Sequence, residues 1–184
     1  MAKWPNVPSC TGWLMLDRRG NWRMRDEAAQ ASGSPGTAIR QEALLGFINR
    51  NYVVDEHGQW YFQNGPQRVY VELGYTPWVV RLAADASGAL SLQDQGGGVF
   101  DPAAVLVDDE GGILFVDRST PARVAVLHDH DLDVFSDHAT LADDSMSGEF
   151  RWTDKIVLLL EEVKRGEVAA HFGFVESPAA AANA

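Results

Sequence analysis

Arg68, Tyr70 and Glu72 alternate with Val69, Val71 and Leu73. A strict two-residue period marks a strand with one buried face, because successive side chains point to opposite sides of a sheet. Such a strand needs partners, and its neighbours supply them. Residues 44–81 break into short runs at 52–54, 59–63 and 78–82, separated by Asp55-Glu56-His57-Gly58, Asn64-Gly65-Pro66 and Thr76-Pro77. Asn, Gly and Pro favour backbone conformations that end pairing. The stretch therefore reads as a meander of short strands. It follows an amphipathic helix whose stripe is Ile39, Ala43, Leu44, Phe47 and Ile48, with Thr37 as its cap and residues 49–51 as its end.

The rest of the chain repeats this style. Residues 13–17 and 22–25 predict a hairpin around Arg18-Arg19-Gly20-Asn21, and residues 26–37 predict a polar loop. Its Gly-Ser-Pro-Gly-Thr piece lacks the Gly-Lys-Ser/Thr ending of a phosphate loop. Strands are expected at 89–93, 104–107, 113–117 and 124–127. Asp131 is expected to cap a short helix with Leu132, Phe135 and Ala139 on one face. Residues 155–165 suit a helix by composition, but 149–152 and 155–160 also fit a hairpin, which is the preferred reading; a short helix at 167–171 follows. Residues 83–88 read as a boundary, residues 95–98 as a linker and residues 179–184 as a frayed tail.

These elements predict an α+β fold of two small β-rich domains, each a twisted antiparallel sheet with a short helix, and a cleft between them. The domains are 1–83 and an acidic 84–178. No internal repeat stands out. Charge differs between the two parts. Residues 1–83 carry 9 Lys+Arg against 7 Asp+Glu, a net of +2; the remainder carries 6 against 19, a net of −13. A phosphate backbone is repelled by the second part, which argues against bulk nucleic acid as a partner. No apolar run is long enough to span a membrane. The start lacks the pattern of a signal peptide, and the single Cys10 has no disulfide partner. A cytoplasmic location is expected.

Several residues carry candidate chemistry. Trp60, Arg68, Trp78 and Arg81 suggest an aromatic and basic wall for a small acidic or nucleotide-like ligand, since Arg suits phosphates and Trp offers a stacking face. His128 and His130, if on a strand, face one way and suggest a divalent metal site. Cys10 has no identifiable activating base. Asp108-Asp109 and Asp143-Asp144 read as solvated turns.

Gly12-x-Leu-x-Leu-Asp-x-x-Gly20-x-Trp22, the helix around Leu45 to Phe47, Asp55-x-x-Gly58-x-Trp60, Gly65-Pro66-Gln67-Arg68 and Thr76-Pro77-Trp78-Val79 occur in that order. Over residues 12–81 this resembles the bacterial DUF1285 family of unknown function, or a sister of it. The resemblance implies two small α+β domains with a ligand cleft and a signalling role. The chain departs from it in loop 26–37 and at Gln67-Arg68. The leading expectation is a non-enzymatic small-ligand-binding or regulatory protein. Alternatives are a protein-interaction module, for which a homo-oligomer is compatible, and a metal-dependent enzyme using the 128–131 cluster.

Overall fold

The computed structural model describes residues 9–143 and 147–183. It has two compact units, Met1–Tyr75 with Gly173–Ala184, and Thr76–Phe172. In the first unit, β1 (Cys10–Leu16) turns back into β2 (Trp22–Met24). Helix α1 (Glu27–Ser32) and the short β3 (Thr37–Ala38) follow, then α2 (Glu42–Arg50). The meander β4 (Tyr52–Val54), β5 (Trp60–Asn64) and β6 (Gln67–Leu73) completes a six-stranded sheet of order β3-β2-β1-β6-β5-β4. Its halves join through a parallel β1–β6 pair. Parallel neighbours need a crossover, and α2 lies within it.

The two-residue period sorts this sheet. Leu14, Leu16, Trp22, Tyr52, Phe62 and Val71 share one face by register, and all are buried. Against that face α2 sets Ile48, the one residue of the helix that is fully buried, and Phe47, edge-on to Phe62 at 5.3 Å. Asn49 accepts the Trp22 indole N–H at 2.8 Å, which satisfies the polar atom of a buried Trp.

The second unit is one eight-stranded sheet. Its strands are β7 (Trp78–Ala84), β8 (Leu90–Asp94), β9 (Pro102–Asp108), β10 (Ile113–Asp117) and β11 (Val124–Leu127). After α3 (Leu132–Asp137) come β12 (Ala139–Leu141), β13 (Gly148–Thr153), β14 (Ile156–Val163) and α4 (Val168–Phe172). The order is β12-β13-β14-β9-β10-β11-β7-β8. Leu82 and Leu92 from one edge share a core with Phe150 and Leu158 from near the other. The sheet is thus curled, and α3 plugs it: the Phe135 ring stacks on Phe150 at 4.8 Å and stands edge-on to Phe115. The chain then returns to the first unit and ends in α5 (Pro178–Ala182).

One turn recurs five times, at Asp17, Asp55, Asp85, Asp94 and Asp108. Each Asp N–H donates to the carbonyl four residues on, and a Gly three residues on, at positive φ, donates back to the Asp carbonyl. Each carboxylate also accepts the N–H groups two and four residues on. Asp satisfies the turn's amides, and Gly takes a conformation that strains other residues.

The expected hairpin at 149–160 and the helix near 167–171 are present. Other expectations are corrected. The sheets are mixed, with β1–β6, β7–β11 and β9–β14 parallel. Strand β7 belongs to the second sheet, because Val79 pairs with Val126 there; residues 85–88 form a hairpin turn inside that unit. Residues 95–98 are also a turn, held on Asp94, rather than a linker. The 26–37 loop contains α1, capped by the Asp26 carboxylate on Ala29 N–H. Thr37 is in β3 and caps nothing; α2 starts five residues later. The tail is helical because Ser177 caps α5 and Glu72 accepts from Ser177 and from Ala179 N–H. Asp144 lies outside the described residues. Among the described residues no helix is long and apolar enough to cross a membrane.

Candidate functional site

The curl of the second sheet brings its two edges to one pocket of about 390 Å3. One wall is the Asp85 turn and the start of β8, at Ser87, Gly88, Ala89 and Leu90. The other is His138, at the end of α3, with Arg151, Trp152, Thr153 and Asp154 at the tip of the β13–β14 hairpin. The Asp85 turn is rigid, since its carboxylate takes Ser87 N–H, Ser87 Oγ–H and Ala89 N–H. These bonds hold the Asp85 carboxyl below the usual range, the Ser87 side chain contributing most. The far wall is fixed by Arg151 N–H donating to His138 O at 2.8 Å and by Trp152, half-buried beside the core.

The polar groups of this pocket are open to a ligand. Arg151 is exposed, and among the described residues no carboxylate pairs with its guanidinium. The His138 Nδ1 lies 2.9 Å from Val134 O. A carbonyl only accepts, so Nδ1 carries the proton and the neutral ring leaves Nε2 as an acceptor. The Asp154 carboxylate is exposed and adds a second acceptor. A planar aromatic surface, a guanidinium and two acceptors therefore line one recess.

The sequence-predicted wall is distributed differently. Trp60 and Arg68 are in the first unit, Trp78 and Arg81 in the second. Register places Arg68 opposite Gln63, while Trp60 is three residues from Gln63, so Trp60 and Arg68 occupy opposite faces. Trp60 packs on Tyr52 at 4.7 Å, and the Arg68 guanidinium stacks over Tyr61 at 4.7 Å. Trp78 and Arg81, three apart on β7, also face opposite ways. The face of Trp78 is covered by Arg123, 4.9 Å away, which bonds Asp117 at 2.6 Å and Asp94 at 2.9 Å. Arg81 forks onto buried Asp131, Nε to Oδ2 at 2.6 Å and Nη2 to Oδ1 at 2.9 Å. Asp131 thus serves Arg81 and Leu82 N–H rather than capping α3. Burial pushes its carboxyl up, but Arg81 and then the Leu82 N–H outweigh this and hold it below the usual range.

His128 and His130 are not on a strand, because β11 ends at Leu127. The buried His128 accepts His130 N–H on Nδ1 at 3.1 Å, and the two rings lie edge to face at 4.8 Å. Burial first, and Arg81 second, push the His128 imidazole down, so the neutral Nε2–H form prevails. Asp129 Oδ1 lies 3.2 Å from this Nδ1, which is an acceptor in the neutral ring, so that contact is not a charged pair. Among the described residues no three His, Cys, Asp or Glu side chains are grouped to hold a metal ion.

The family described as "Protein of unknown function (DUF2946)" matches residues 1–179. A crystal structure of a DUF1285 family protein from Silicibacter pomeroyi DSS-3 is similar at 15% identity, covering 89% of this chain and 86% of that one, with a TM-score of 0.52. A DUF1285 family protein from Shewanella baltica OS155 matches at 10% identity over 68% of this chain and 91% of its own, with a TM-score of 0.45. No curated protein matches. The Silicibacter likeness shows a shared fold, in line with the motif resemblance over residues 12–81.

Proposed function

The chain belongs to the DUF2946 family of unknown function, and from that premise we propose that it binds a small acidic, nucleotide-like ligand in the pocket between the edges of its second sheet. The observation that carries this reading is the meeting of exposed Arg151, half-buried Trp152 and exposed Asp154 in a 390 Å3 recess. Recesses of this size with a few convergent polar groups are where small ligands bind. Arg151 suits a phosphate or carboxylate, Trp152 a stacked base, and Asp154 a ring N–H or sugar hydroxyl. This is the chemistry expected of the predicted wall, carried by other residues.

Thermal unfolding against nucleotides, dicarboxylates and inorganic phosphate tests it. A ligand at 100 times its Kd adds about 2.7 kcal/mol of stability. A rise in Tm with one nucleotide class is expected, lost in Arg151→Ala and kept in Arg68→Ala. No shift with any of them, or a shift indifferent to Arg151→Ala, removes this reading. A second reading, a protein-interaction surface, is supported by Val157 and Leu159 on the outer side of β14, Leu159 being 64% exposed. If that surface self-associates, Leu159→Lys lowers the molar mass in light scattering.

A further inference from the structure

In the first unit, α2 does not seal the sheet face it covers. Leu14, Met24, Leu44, Ile48, Phe62 and Val69 enclose a pocket of about 330 Å3 that opens past half-exposed Met24 and Trp13. The chain has 15 Lys+Arg and 26 Asp+Glu, yet among the described residues no charged side chain lines this pocket. Apart from the Trp13 indole at its mouth, the polar side chains of its described wall are Cys10 and Asn64. Register puts both at one end of the sheet: Cys10 is paired with Val69, and Asn64 with Gln67 two residues before. One end is therefore polar and the remainder is hydrocarbon.

We infer that this pocket binds a neutral amphiphile with a single hydrogen-bonding head, the head at Asn64 and Cys10 and the apolar body between α2 and the sheet. Water is a poor occupant, since an ordered water needs two to four polar partners and only one end offers any. Its volume is roughly twice the ~150 Å3 cavity that admits benzene, which suits a medium-length hydrocarbon chain. A charged head is disfavoured because, among the described residues, the wall holds no opposite charge to neutralise it. Burial pushes the Cys10 thiol up, so the polar end itself is uncharged. The site is separate from the pocket at Arg151 and does not depend on it.

The test is a titration of the full chain with 1-decanol, and in parallel with decanoate, followed by NMR of 13C-labelled Met methyl groups. Met24 lines the pocket, whereas Met15 follows Leu14 on β1 and faces the other side of the sheet. Saturable movement of Met24 with Met15 still is expected. Decanol should bind at least about tenfold tighter than decanoate. Asn64→Ala, at an exposed position, should weaken decanol about fivefold. Leu44→Trp, which fills the space with apolar volume, should abolish binding, and Arg151→Ala should leave it unchanged. A still Met24, equal shifts at both Met residues, or equal affinity for decanoate overturns the inference. So does a Met24 signal that moves with protein concentration alone, which would mark a second copy as the occupant. The Met24 and Met15 signals of the unaltered chain decide the matter even if Leu44→Trp fails to fold.

Discussion

Asp131 is buried yet stays ionised chiefly because of the fork of Arg81, with Leu82 N–H as a second donor. Removing Arg81 leaves the carboxylate in a site built for a paired charge. Because Arg81 is itself more than half exposed, water replaces part of what is lost. Arg81→Met is expected to destabilise by about 1–3 kcal/mol in urea unfolding, and adding Asp131→Leu should restore much of it. His128, next to this pair, gives a pH signature. Its folded-state imidazole titrates lower than in the unfolded chain, so the unfolded state takes up the proton first. The contribution is full above the unfolded value of about 6.5 and declines as pH falls towards the lower folded value. His128→Asn keeps an acceptor for His130 N–H and should flatten stability between about pH 7 and 5. The predicted ligand wall is divided at this same scale. Trp78 and Arg81 are an odd number apart on one strand, so their opposite facing was legible in the sequence. The opposite facing of Trp60 and Arg68 required the register of β5 on β6.

The Asp turns are the recurring device at the scale of elements. Their sequence signal, Asp with Gly three residues on, was visible at Asp17, Asp55, Asp85, Asp94 and Asp108; it reads as a turn at Asp17, Asp55 and Asp108, but as a boundary at Asp85 and a linker after Asp94. What the sequence does not show is that each carboxylate accepts two amides of its own turn. Asp108 is only 1% exposed and accepts from Glu110 and Gly112 N–H. Asp108→Ala is expected to cost about 2 kcal/mol, leaving two amides without an acceptor. Asp17, Asp55, Asp85, Asp117 and Asp131 are all held below the usual carboxylate range. For such groups the stability is present above the unfolded value of about 3.9 and lost as pH falls through the folded values. Circular dichroism should therefore show acid unfolding beginning below about pH 4. Part of the −11 net charge is thus structural, and not all of it is a surface for partners.

For the whole molecule, continuity of the chain separates the two units. The second is one unbroken segment with its own core. The first is completed by residues 173–183, which return to it: Val175 N–H meets Gly58 O, Leu73 N–H meets Glu176 O, and Glu72 holds the start of α5. A side chain at Gly58 would lie 2.2 Å from Gly173 O, so this return demands Gly there. Residues 76–172 are expected to fold as an isolated fragment with a cooperative thermal transition. Residues 1–75 alone should exchange their β6 amides rapidly, and Glu72→Ala in the full chain should speed exchange at residues 177–183. The sequence by itself determined the strands, the hairpin corners, α2 and the α+β class, because these depend on periodicity and on bonds spanning two to four residues. Tertiary structure decided the rest. Parallel pairing set β7 beside β11, a buried Glu72 turned a small-residue tail into a helix, and the curl of the second sheet gathered Ser87, His138 and Arg151. The pairing of β7 with β11 joins residues 47 apart and the Glu72 contacts join residues 105 and 107 apart, and which of them form depends on the apolar surface that each buries, a quantity no local pattern contains.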